Sequence, residues 1–513
     1  MNNLNKKLKW ILLFIAILVC SNAVATPRSL QQEPWLDYFV IEPVALPEGV
    51  DPQVGALKML KGGDIAAAFH DGNVLKFNVK NNRWSLYASG LHEPLGIAED
   101  NNGDLVVMQL AELTRLVDEN ANGSADFYQT VTDDFGLSGN YHEFAFGPVM
   151  DAAGNYLIAL NVASNYAGIF SKIRGPYNPL CPPRALMQNW QDNENWDQDK
   201  TQAGRMFSCV PYRGWILKVT PAGEVEPYAS GVRSPDGLLI DSSERLWVTD
   251  NQGDWLATSP LLLVEKGDFL GHPASLLWRS GWQKKATEIS AEELTRLRRP
   301  AAALLPHGEL ANSPTQPVEI TRNNALGLTA GELLMGDMNQ PHLIRFLPDA
   351  GKKTMQGTLI PFLQSEALGI GNHRMTFDKN GDLWIGKTHL GWAGGEGIVK
   401  LKWNKKPYLK VDKVTQVNNE FLIEFNQPVK SQPNVTVAQH TYHYHSDYGS
   451  AKVALKQIQD VHVSLDKKRT LLQVGLPALQ DGFVYTIELH NVKNAQAQPL
   501  MGSVLRYRYL AEN

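Results

Sequence analysis

The sequence predicts an all-β protein: a six-bladed β-propeller over residues 36–403, followed by a small β-sandwich of immunoglobulin-like type over residues 407–513. Three observations carry this. A motif of apolar strand, Asp/Asn-x-x-Gly turn and second apolar strand recurs along the first part of the chain. Turns of that composition accept the positive φ that a tight hairpin needs, and short hairpins repeated about a centre leave only short, protected sheet edges. Beyond about Pro407 the motif is lost and plain strands separated by turn residues take over, which suits a sandwich.

At the N-terminus, Lys6, Lys7 and Lys9 precede the apolar run Trp10 to Val19, and Ala23-Val24-Ala25 supplies the small residues a signal peptidase needs. Residues 1–25 therefore read as a signal peptide. The run is shorter than the roughly 20 residues of a membrane span. Lipid attachment at Cys20 is the alternative, with the bulky Val19 against it. No later stretch is long and apolar enough to span a membrane, so the chain is expected to be periplasmic or secreted.

The repeat is fullest at Ile97 to Val107, Met150 to Ile158 and Thr376 to Ile385. Leu239 to Val248 lacks the glycine, and Ala68 to Leu75 and Leu326 to Leu334 are weaker copies. Six copies imply six blades, with seven as the alternative count. Two insertions interrupt them, residues 163–213 and 275–312; the second holds a helical signal at Ser290-Ala291-Glu292-Glu293-Leu294, a capping box stopped by Pro300. In the C-terminal part, Phe421 to Phe425, Tyr442 to His445, Val461 to Leu465, Leu471 to Val474 and Tyr485 to Leu489 read as strands. His443 and His445 share a strand face and could hold a metal, but no third ligand is evident nearby, and exposed rings on a strand are the plainer reading.

Composition narrows the function. A net charge of −5 without a large basic block excludes a nucleic-acid partner. Of three cysteines, Cys20 lies in the signal region, and an oxidising compartment makes a Cys181–Cys209 disulfide the expectation, two free thiols the alternative. Asp118 to Asp126 has oxygens at alternate positions and Gly123 at the sixth, like the start of a calcium loop. Gln129 stands where the bidentate Glu belongs, which favours a plain turn.

Three polar blocks stand at the mouths of apolar strands: Gly139 to Pro148, Val232 to Gly237 and Thr249 to Trp255. Strand mouths stacked around one axis would gather His142, Arg233 and Asp254 into one small-molecule pocket with a base, a cation and carbonyls. Imidazole suits a general base, and guanidinium a planar anion or developing oxyanion.

These blocks, with Gly90 to Ile97 and Gly267 to Pro273, resemble those of exported bacterial propeller proteins of the membrane-bound dehydrogenase type. Such proteins are in turn remotely similar to soluble quinoprotein glucose and sorbosone dehydrogenases. The resemblance covers roughly residues 40–403, and the C-terminal sandwich also resembles one found after such propellers. It implies an exported oxidoreductase acting on a sugar, polyol or aldose, with pyrroloquinoline quinone (PQQ) and calcium as cofactors. The electron acceptor would be a separate molecule, since the chain has no CxxCH haem site. In that reading His142 is the general base; Arg233, Ser234, Arg374 and Lys387 form the quinone site; and Gly253, Asp254 and Asp250 supply oxygens to calcium.

The sequence departs from that pattern at three places. Asn161 replaces the carboxylate behind the base, His373 and Asn372 stand where a second arginine belongs near Arg374, and the fifth-blade lysine falls near Asn339 and Gln340. Two other classes share the pocket. One is a carbohydrate-active lyase, hydrolase or lactonase using His142 and calcium; the other is a non-catalytic glycan- or protein-binding propeller.

Overall fold

The repeated aspartate shows why the motif recurs. In the second blade Asp100 accepts the N–H groups of Asn102 and Asp104, at 2.8 and 3.0 Å. Asp241 does the same for Ser243 and Arg245, and Asp378 for Asn380 and Asp382. The second oxygen of Asp241 and of Asp378 takes the indole N–H of Trp247 and Trp384, at 2.8 and 3.0 Å. Each motif thus caps its own hairpin and ties it to the blade core.

The structure is a computed structural model that describes residues 34–164, 174–181, 206–285, 288–322, 324–389 and 394–512. The expected signal peptide, Cys20 and much of the first insertion lie outside the described residues. Six four-stranded antiparallel units follow one another. Their inner strands are Val54–Met59, Gly96–Glu99, Ala145–Met150, Pro235–Ile240, Val318–Glu319 and Asn372–Phe377. The sixth blade is completed by the N-terminal strand Phe39–Val44, which pairs with Ile398–Trp403 from Phe39↔Trp403 to Val44↔Ile398. That closure joins the two ends of the ring. Inner strands crowd the axis so tightly that a Cβ on Gly96 would lie 1.5 Å from the Gly147 carbonyl oxygen.

Beyond the ring, Leu409–Val417, Glu420–Phe425, Leu471–Gly475 and His462–Leu465 form one sheet, with Leu500–Met501 parallel to the first. Asn434–Thr441, Val453–Ile458, Val484–His490 and Val504–Arg508 form the facing sheet. Phe421, Ile423, Val474, Ile487 and Leu505 fill the space between them. The facing sheet is continuous with the fifth blade, because Val504–Arg508 pairs with Gly357–Phe362 at Thr358↔Tyr507 and Leu359↔Arg506. Leu347 and Ile360 of that blade belong to the sandwich core. Residues Trp35–Asn513 are accordingly one compact unit.

Some local expectations are corrected and others are borne out. Tyr442 to His445 is a loop that leaves the sheet after Thr441 to pack on the fourth blade, so His443 and His445 share no strand face. Among the described residues no group of His, Cys, Asp or Glu is arranged to hold a metal ion. Asp118 accepts the N–H groups of Asn122 and Gly123, at 3.0 and 2.8 Å, which makes that segment a self-capped turn. In the weak fifth copy the inner strand is only Val318–Glu319, ahead of the apolar run expected to hold it. The helical signal is Ala291–Leu297, with Ser290 accepting the Glu293 N–H at 3.1 Å. Cys181 and Cys209 are disulfide-bonded, with Cα atoms 6.0 Å apart. No helix among the described residues is long and apolar enough to cross a membrane.

Candidate active site at the propeller mouth

The segments leading into the inner strands meet at one rim. Gln53 takes the hydroxyl and backbone hydrogen bonds of Thr388 and His389, linking the first and sixth blades. Val162 donates to the Arg233 carbonyl at 3.0 Å, linking the third and fourth.

His142 sits on this rim, half-buried, with its backbone N–H on Asn140 Oδ1 at 2.9 Å. Its Nδ1 lies 3.1 Å from the Val162 carbonyl oxygen. A carbonyl can only accept, so Nδ1 carries the hydrogen and Nε2 bears the lone pair. The loop under the ring is fixed by a buried pair that sequence reasoning missed. Glu143, fully buried, accepts the Ser138 N–H and hydroxyl, both at 2.7 Å. Arg213 donates to the carbonyls of Gly136 and Glu143, both at 2.8 Å. Burial pushes the Arg213 guanidinium down to about 10, against the pull of Glu143. Asn161, expected behind the base, instead gives its amide to Ser234 Oγ at 3.0 Å, and its Oδ1 is buried without a partner among the described residues.

Arg233 lies flat on Gly253, where a Cβ would meet its Nε at 1.9 Å; Gly253 is therefore required. Its Nε is 3.4 Å from Asp254 Oδ1, and its Cζ stands 5.2 Å from the Tyr448 ring centroid, a contact made by the sandwich. Its terminal amino groups make no hydrogen bond among the described residues and keep some solvent access. Asp254 also takes the Met206 N–H at 2.8 Å and His272 Nε2 at 3.2 Å. Burial would raise its carboxyl, but His272 and Arg233 hold it below the usual carboxylate range. Asp250 accepts the N–H groups of Arg233, Ser234 and Asn251 at 2.8, 2.7 and 2.8 Å; burial nonetheless pushes it up to about 6. The Gly253 carbonyl accepts Gly449 N–H at 2.9 Å and Leu256 N–H at 3.2 Å.

Arg374 and Lys387 are placed differently from the expectation. Arg374 crosses the channel, donating from Nε to Gly55 O at 3.0 Å, from Nη1 to Asp236 O at 2.9 Å and from Nη2 to Leu95 O at 3.1 Å. Both terminal nitrogens also reach Asp236 Oδ1 at 3.2 Å. His373 bridges the Val54 carbonyl and the same carboxylate oxygen, each at 2.9 Å. Burial would raise Asp236, but His373 and Arg374 keep it below the usual carboxylate range. Together these residues plug the channel. Beyond the plug a cavity of about 290 Å³ runs between the inner strands to Lys58, Glu99 and Glu319. Lys387 donates to Leu368 O, to Ile370 O at 3.2 Å and to Asn372 Oδ1 at 3.0 Å, and burial lowers it to about 8.

This arrangement does not fit PQQ and calcium. PQQ carries three carboxylates, yet Arg374 and Lys387 have their donors engaged by the protein, which leaves, of the expected cations, only the outer amino groups of Arg233 to meet them. The oxygens expected on calcium are likewise occupied by N–H groups.

No protein-family model matches the chain, and a search of curated proteins finds no match. Solved structures similar in shape include an oxidoreductase (glucose dehydrogenase) from Thermus thermophilus, 16% identical, covering 71% of this chain and 99% of that one, TM-score 0.46. The PQQ-bound aldose sugar dehydrogenase of Streptomyces coelicolor is 16% identical over 71% of this chain and 98% of its own, TM-score 0.42. A streptogramin B lyase is 13% identical over 72% of this chain and all of its own, TM-score 0.37. Likenesses this weak decide nothing about chemistry.

Proposed function

We propose that the chain is an exported enzyme acting on a small carbohydrate at the propeller mouth, with His142 as general base and Arg233 facing the oxygen on which charge develops. The observation that carries the reading is the Nδ1 contact to the Val162 carbonyl, which leaves Nε2 as the basic nitrogen of a ring held by a buried loop. Arg233 adds a guanidinium whose outer donors make no protein hydrogen bond among the described residues.

In the oxidoreductase form, His142 takes the hydroxyl proton of the sugar, and the carbinol carbon must lose a hydride. None of the protein groups described at the mouth accepts hydride, so an acceptor from outside the chain receives it. The engagement of Arg374 and Lys387 favours a second form that needs no hydride acceptor. As a lyase His142 takes a C–H proton beside a carboxylate while the β-oxygen leaves; as a lactonase it takes a proton from water, whose oxygen adds to the lactone carbonyl as the ring oxygen leaves and is protonated. Incubating the purified protein with a panel of sugars, aldonolactones and unsaturation-prone uronates separates the two. Dye reduction that depends on an added quinone supports oxidation; turnover without any acceptor supports the second form. Absence of both across the panel contradicts an enzyme acting on these carbohydrates.

A further inference from the structure

Between the fourth blade and the sandwich lies a cleft of about 150 Å³, separate from the mouth, lined by Arg298, Arg508, Tyr442, Tyr444 and Thr258. Three arginines line it: Arg299 has carboxylate partners, whereas Arg298 and Arg508 form no ion pair among the described residues. Arg298 stacks on the Tyr444 ring, Cζ to centroid 4.0 Å, and its guanidinium makes no hydrogen bond or ion pair among the described residues. Arg508 gives one Nη1 bond to the Ala301 carbonyl at 2.6 Å, while its Nε is buried with no partner among the described residues. Burial, then the charge of Arg298, pushes Arg508 down to about 9. Asp481, whose charge opposes that shift, is exposed, accepts the Ala511 N–H at 2.8 Å and forms no ion pair among the described residues. Arg299, in the same cleft, shows the usual arrangement, paired with Glu265 at 2.8 Å and Asp268 at 3.2 Å; the neighbouring Arg506 faces Glu309 at 3.7 Å, with Nε and Nη1 buried and without a hydrogen bond among the described residues.

Arg298 and Arg508 are half-buried, and two guanidiniums of like sign in one cleft leave donors and charge that an anion would satisfy. We propose that this cleft binds a tetrahedral oxyanion, phosphate or sulfate, free or carried on a sugar, between Arg298 and Arg508. Two positive forks match a dianion with several acceptor oxygens, and the small volume admits the oxyanion group rather than an extended chain. The cleft is walled by the segments through which the sandwich grips the fourth blade, where Trp255 N–H meets His445 O at 3.0 Å and Ser450 N–H meets Ala257 O at 2.9 Å. An anion held there would bridge the two.

Titration calorimetry on the full mature protein tests this, with inorganic phosphate, sulfate and glucose 6-phosphate at constant ionic strength in chloride. The wild type should bind at least one of them saturably, and Arg298→Gln and Arg508→Gln should each weaken binding at least about ten-fold, the worth of one charged hydrogen bond. Arg245→Gln, whose guanidinium pairs with Asp241 outside the cleft, should bind as the wild type does. Preference for glucose 6-phosphate over the free ions would identify a carried group; equal or weaker binding, a free ion. Should Arg508→Gln fail to fold through loss of its Ala301 bond, Arg298→Gln alone decides. No saturable binding below about 10 mM in the wild type, or unchanged binding in Arg298→Gln, overturns the proposal.

Discussion

At the scale of single residues, the sequence made visible which polar groups stand at strand mouths but not what each would touch. His142 and Arg233 do lie on one rim, because both precede inner strands and Val162 ties the two blades together. Arg374 and Lys387 were legible only as cations near an inner strand. Their partners come from four blades, and that convergence is a property of ring closure rather than of local sequence. His70 carried no sequence signal. Its Nε2 is buried without a partner among the described residues, and burial, with His373 and Arg374 nearby, pushes it from 6.5 to about 3. His70 therefore stays neutral in the fold while the unfolded chain takes up a proton, and stability falls as pH drops from about 6.5 towards 3. Asp250, raised from 3.8 to about 6, acts oppositely, adding stability as pH falls through that window. Only a difference measurement separates them. The stability of His70→Asn, followed by urea unfolding at stepped pH, should fall less between 6.5 and 4 than that of the wild type. Equal slopes would show that His70 is protonated in the fold.

At the scale of elements, hairpins were readable wherever the Asp cap and apolar flanks coincide, as at Asp100, Asp241 and Asp378. Two kinds of element were not. The closing strand Phe39–Val44 finds its partner at the opposite end of the ring, which no local pattern announces. Tyr442 to His445 alternates like a strand, yet tertiary packing draws it away as a loop. The disulfide followed from compartment logic, and its 28-residue separation sets the size of its effect. Replacing both Cys181 and Cys209 by serine should cost about 3.5 kcal/mol, through the freedom restored to the unfolded chain. Thermal unfolding with and without reductant checks it: the wild type should lose stability on reduction and the double variant should not respond. A reductant-insensitive wild type would mean that the bridge is absent or without consequence.

At the scale of the whole molecule, the propeller and sandwich were each foreseeable from their strand patterns, but their union was not. The sandwich extends the fifth blade edge to edge and sends Tyr448 to the Arg233 guanidinium, so a wall of the mouth comes from the last hundred or so residues of the chain. Charge and composition say nothing of such a contact, since it depends on a loop that only tertiary packing positions. The mouth remains the centre of the account, and steady-state kinetics of the wild type, His142→Ala and Arg233→Ala on the carbohydrate found active in the panel test it most directly. Loss of the base should lower kcat by about 10²–10⁴-fold with KM little changed. Loss of the guanidinium should lower kcat and also raise KM, because an oxygen bearing charge loses its partner. An active preparation in which His142→Ala turns over at the wild-type rate would contradict the assignment of this mouth as the site of chemistry.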